Sequence, residues 1–163
     1  MGGDASDVRA FYAAAYPPLV RVLALTAGDV DEAEEIVQEA FIRLLPRWGT
    51  VGRYDDPEAW VRKVAFRLLA NRQRRVRLAR RLLPALAPPH ADPAPSGDRV
   101  DVNRALARLP FTQRQVVVLH HLLDLPVEQV AAELGVPTGT VKSRLARARV
   151  VLTPLLGLEV ADV

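Results

Sequence analysis

The chain has 163 residues, 25% of them charged and 50% hydrophobic, with no cysteine and a formal net charge of +3. That length holds one medium domain or two small ones, and the lack of cysteine excludes disulfides and thiolate metal sites and fits a reducing compartment. No apolar run approaches the roughly 20 residues of a membrane span, and Met1-Gly2-Gly3-Asp4 lacks the basic-then-apolar layout of a signal peptide. A cytoplasmic protein without membrane insertion is expected.

The charges are unevenly placed. From Asp29 to Glu39 every charge is acidic, and from Arg62 to Arg81 every charge is basic. A second acid-free basic run holds Lys142, Arg144, Arg147 and Arg149. Two separated basic blocks point to two contacts with a polyanion, most simply nucleic acid.

In chain order, Val8, Phe11, Tyr12, Ala15, Leu19, Val20 and Leu23 recur at helical spacing, interrupted by Pro17-Pro18. Proline removes a hydrogen bond inside a helix and clashes one turn back, so the expectation is a short helix, a bend, and a second helix from about Pro17. Ala33, Ile36, Val37, Ala40, Phe41 and Leu44 then follow the i, i+3, i+4 rule, with Asp29 or Asp31 to cap the start. Pro46 to Gly52 ends this helix. A third helix opens at Asp56-Pro57-Glu58, an N-cap acid with proline at the first helical position. Its inward stripe is Trp60 or Val61, then Val64, Ala65, Leu68 and Leu69; the opposite face carries the arginine block.

Residues 82 to 98, LLPALAPPHADPAPSGD, hold five prolines and read as a semi-stiff linker. The expected organisation is therefore all-α: two small helical domains, 5–81 and 100–153, joined by a Pro/Ala-rich linker over 82–99. The second domain opens with a short helix around Val102, Ala105, Leu106 and Leu109, followed by one that Thr112 caps. His120 and His121 are adjacent, about 100° apart on a helix, and cannot clamp one metal together. Neither a metal site nor a cofactor is expected.

The stretch PVEQVAAELGVPTGTVKSRLARARV, residues 126 to 150, has the marks of a helix-turn-helix. Pro126 starts a helix whose Val130, Ala131 and Leu134 face inward, and Ala131 is small where the two helices approach most closely. Gly135 can take the left-handed conformation of a tight turn. Val141 and Leu145 return to the core, which leaves Thr138, Thr140, Lys142, Ser143, Arg144 and Arg147 facing outward. Such a helix fits the major groove, where arginine can bind a guanine edge bidentately while lysine, serine and threonine position the backbone. Pro154 is expected to end the last helix, with a short tail after it.

These strings carry a family resemblance. GTVKSRLARAR resembles the recognition helix with which extracytoplasmic-function sigma factors, group IV of the sigma-70 family, read the −35 promoter element. LPFTQRQVVVLHHLLDLPVEQVAAELGV resembles the rest of that −35 domain. DEAEEIVQEAFIRLLPRW resembles the helix that docks on the clamp helices of the RNA polymerase β′ subunit, and DPEAWVRKVAFRLLANRQRR the segment that opens and reads the −10 element. Pro137 stands where many relatives have a capping serine, and Asn71 where aspartate is frequent; the composition resembles the actinobacterial branch.

The resemblance implies an RNA polymerase sigma factor with no catalytic residue of its own. It places Asp31, Glu35, Gln38 and Glu39 at the polymerase, with Trp60, Arg62, Lys63, Arg67, Asn71, Arg72, Arg74 and Arg75 at the −10 region. Thr138, Thr140, Lys142, Ser143, Arg144 and Arg147 fall at −35. The implied partners are polymerase core, through the β′ clamp helices and the β flap, promoter DNA, and an anti-sigma factor. The residues alone also fit a stand-alone helix-turn-helix regulator with an N-terminal dimerisation or sensor domain. A nucleic-acid-processing enzyme fits less well, since the acids of 29 to 39 lie on one surface helix and not around a cleft.

Overall fold

The computed structural model describes residues 5–86 and 97–157, with backbone alone for 86 and for 97–101. All regular structure among the described residues is helical. The chain divides into two compact units at residue 91.

In the first unit α1 (Ala5–Ala27) packs on α2 (Val30–Leu44), which packs on α4 (Pro57–Leu82); a 3-10 turn (Leu45–Arg47) and the single turn α3 (Trp48–Val51) lie between α2 and α4. The expected break at Pro17 is absent: α1 runs through both prolines. The carbonyls they leave unbonded, one turn back, belong to Ala13 and Ala14, both exposed. Water can serve those oxygens while Ala15, Leu19, Val20 and Leu23 stay buried on the other side. Continuity also merges two short apolar segments. Among the described residues α1 is thus one helix long and apolar enough, by length and composition, to cross a membrane, although Asp7, Arg9 and Arg21 fall inside it and leave no unbroken apolar run of that length. Here its apolar stripe is spent on α2.

Asp29 caps α2, its carboxylate accepting from the Glu32 amide at 3.1 Å, and Asp56 caps α4 through the Ala59 amide at 3.0 Å. Every apolar position read from the spacing of α2 is buried. On α4 the core takes Val61 in preference to Trp60, then Ala65 and Leu69, with Val64 and Leu68 half-buried. Phe66, absent from the expected stripe, is among the largest fully buried side chains. An aromatic cluster closes one end: Phe11 lies 5.1 Å from Trp48, and Tyr12 meets Phe41 edge-on at 4.9 Å.

In the second unit α5 (Gly97–Ala107) starts inside the stretch read as linker, while 87–96, with His90, lie outside the described residues. Pro110, not Thr112, occupies the N-cap of α6 (Phe111–Val117); its carbonyl accepts from the Gln113 and Arg114 amides at 3.0 Å, leaving Thr112 in the first turn. A single π turn, Val118–Leu122, continues α6, and the His120 ring lies 2.8 Å from the Leu125 carbonyl through Nδ1. Helices α7 (Val127–Leu134) and α8 (Thr138–Leu156) complete the unit over a core of Leu109, Val116, Leu119, Val130, Val141 and Ala148. Pro154 does not end α8. The carbonyl it frees belongs to Val150, which is 75% exposed, and the helix stops at Gly157, φ +63°.

Candidate nucleic-acid interface

The helix-turn-helix forms where its residues place it. Gly135 takes φ +67° and its amide bonds back to the Ala131 carbonyl, which Val136 also reaches, at 3.1 Å. Beyond this turn the Pro137 carbonyl accepts from the Thr140 and Val141 amides at 3.0 and 3.3 Å and starts α8. Val130 and Val141 are fully buried and lock α7 against α8; Leu134 and Leu145, expected inward, are half-buried. The core position one turn beyond Leu145 is Ala148, also fully buried.

The outward set on α8 stays together. Thr138, Lys142, Ser143 and Arg147 are exposed, Thr140 and Arg144 half-buried. Arg144 and Arg147 stand three residues apart and share a face. Ser143 donates its hydroxyl proton to the Thr140 carbonyl at 3.0 Å, so in this rotamer it presents lone pairs outward. Arg149, in the same basic run, instead lines an apolar cavity of about 370 Å³ with Leu106, Val117, Leu152 and His121. The His121 pKa lies below its ordinary value, first because burial penalises the charged ring, then through His120 and Arg149, with Asp124 opposing.

Polar groups beneath this motif carry no mark in the sequence. Glu133 is buried, with Gln129 donating to it at 3.2 Å. Arg114 donates to the Leu109 carbonyl at 3.0 Å, and burial lowers its pKa. Nothing in the spacing separates these from surface charges.

In the first unit the residues expected at the −10 region divide between two faces of α4. Trp60, Lys63, Arg67, Asn71 and Arg74 fall at i, i+3, i+7, i+11 and i+14, one strip along the helix. Trp60 and Lys63 are half-buried and the other three exposed. Arg62 is half-buried off this strip. Arg72 and Arg75 turn toward α2, where they line a cleft of about 330 Å³ with Glu35, Ile36, Glu39 and Arg43.

All four residues expected at the polymerase, Asp31, Glu35, Gln38 and Glu39, are exposed on α2. Three of them have partners within the chain. Glu35 accepts from Arg72 at 3.1 Å, Glu39 from Arg43 at 3.1 Å, and Gln38 donates to the Tyr16 hydroxyl at 3.4 Å. The Glu32 pKa is raised, mainly by burial, with Asp29 and Glu35 adding and Arg72 opposing. No group of three or more His, Cys, Asp or Glu side chains able to hold a metal occurs among the described residues.

Comparison with known proteins fits this arrangement. Residues 11–79 match the model of sigma-70 region 2, and residues 99–152 that of sigma-70, region 4. The chain is 32% identical over 155 residues to the probable RNA polymerase sigma-C factor of Mycobacterium bovis, covering 90% of this chain and 82% of that one. It is 33% identical over 147 residues to the extracytoplasmic-function sigma factor SigM of Mycobacterium tuberculosis, covering 85% and 71%. Its fold matches that of the sigma factor RpoE of Bartonella quintana, solved in complex with the anti-sigma factor NepR, with a TM-score of 0.76 at 23% identity over 94% of this chain and 98% of that one. With both regions present in order, and with relatives aligned over most of their length, the chain belongs to the extracytoplasmic-function sigma factors of bacterial RNA polymerase.

Proposed function

We propose that the two units divide promoter recognition between them. The second unit, residues 100–153, reads the −35 element through the outward face of α8. Arg144 and Arg147 take base edges, while Lys142 and the two threonines hold the backbone. The first unit, residues 5–81, docks on polymerase through Asp31, Glu35, Gln38 and Glu39, and its α4 strip from Trp60 to Arg74 follows the −10 DNA and stabilises the opened strand. Binding drives the melting, without a catalytic group or cofactor: phosphate contacts supply affinity, and stacking on an aromatic side chain contributes roughly 1–3 kcal/mol per extruded base. The chain acts in the cytoplasm, where polymerase and promoter meet. The β′ clamp helices and the β flap are the polymerase elements proposed to receive it. An anti-sigma factor is a further proposed partner, by analogy with RpoE and NepR.

The observation that carries this reading is the outward face of α8 behind a left-handed glycine turn, on the same chain as an exposed acidic helix. Reversing Asp31 and Glu35 to lysine is expected to abolish binding to purified polymerase core and leave duplex DNA affinity of the free chain no weaker. Loss of duplex binding with core binding intact would contradict the assignment.

A further inference from the structure

Arg72 is one of the basic residues assigned to promoter DNA, and Glu35 one of the acids assigned to polymerase. In the free chain they hold each other: Arg72 Nη1 lies 3.1 Å from Glu35 Oε2 across the α2–α4 cleft. An arginine engaged with a carboxylate has less charge to give a phosphate, and a carboxylate engaged with an arginine has less to give a basic partner.

We infer that this ion pair makes polymerase docking and DNA binding share one contact, so that polymerase, by taking Glu35, releases Arg72 to the DNA. The inference rests on the proposed docking role of α2 and extends it to a coupling.

Geometry favours an exchange over a fixed structural link. Glu35 is 68% and Arg72 36% exposed in their side chains, so either can be reached from solvent. Neighbouring charges keep the cleft populated after the exchange: Arg75 and Arg43 line it beside Glu39, and Glu39 is already held by Arg43 at 3.1 Å. Of the apolar members of the lining, Ile36 belongs to the buried core and Leu68 is half-buried, but the pair itself joins two side chains that solvent reaches. Breaking the pair therefore needs no repacking.

Linkage makes the coupling reciprocal. An exposed pair of this kind shifts an affinity by up to about fivefold. In Glu35→Gln, Arg72 is released, and the free chain is expected to bind a 30-nucleotide single-stranded DNA about two- to fivefold more tightly, with a salt slope steeper by about 0.7 for one more phosphate contact. In Arg72→Gln, Glu35 is released, and polymerase core is expected to bind about two- to fivefold more tightly. The double variant should bind DNA like Arg72→Gln alone.

Two controls isolate the pair from general charge effects: Glu34→Gln, an exposed acid on α2, and Arg74→Gln, an exposed base on α4. The inference is overturned if Glu35→Gln tightens DNA binding no more than Glu34→Gln does, or by the same factor with and without Arg72. It is also overturned if Arg72→Gln leaves core affinity where Arg74→Gln leaves it. Failure of the docking reading itself is distinguishable: in that case Glu35→Gln leaves core affinity at the wild-type value.

Discussion

Two side chains in the second unit carry separable expectations. Lys142, exposed on the outward face of α8, is assigned to a phosphate, so Lys142→Ala should weaken binding to all duplexes alike and reduce the salt slope by about 1. Arg144→Ala should instead cost about 1–3 kcal/mol on the preferred −35 sequence and much less on others. Titrations on selected and scrambled duplexes at several salt concentrations check both. His121 gives a pH dependence. Its folded pKa is depressed by burial, His120 and Arg149, so below the ordinary value of about 6.5 the unfolded chain takes up the proton first. Stability is then fully present above that pH and falls as pH drops toward the folded pKa. Thermal unfolding between pH 7.5 and 5.5 (roughly one unit on either side of that value) should show a fall in Tm that shrinks in His121→Gln; an identical fall would remove His121 as its source.

Whether an element was legible in the sequence depended on how local its cause is. Spacing and caps decide α2, and its buried residues are those the i, i+3, i+4 rule selects. The turn before α8 was equally readable, since a glycine between two apolar-periodic segments has one common use, and Gly135 has it. Gly135→Ala adds a methyl that meets nothing within 4 Å, so its cost is backbone strain alone, about 1–2 kcal/mol. Denaturant unfolding should record that loss, with Gly135→Asn losing less, because asparagine tolerates the left-handed region. The misread elements share a different cause. At Pro17, Pro18 and Pro154 the local cost of proline is real, but the unbonded carbonyls reach water and the opposite face stays buried; tertiary packing decides, and a local rule does not contain it. Phe66 stands beside Arg67 in a stretch whose charges mask its apolar period with Leu69. The division of the −10 set into a strip and an α2-facing pair, and the Glu35–Arg72 contact with it, depend on which helix lies beside α4. No spacing within α4 encodes that.

For the molecule as a whole, two units with separate cores carry two basic surfaces and one acidic one. The stand-alone regulator, which the residues alone also allowed, gives way once region 2 and region 4 are found in order on one chain. Promoter choice is proposed to pass through α8. The most direct measurement is transcription by sigma-free polymerase core plus this chain on a library of promoter fragments. Discrete transcripts are expected, and they should disappear when Arg144 and Arg147 are both changed to alanine, while binding to core is retained. Transcripts from the same promoters, undiminished in that double variant, would contradict that role of α8.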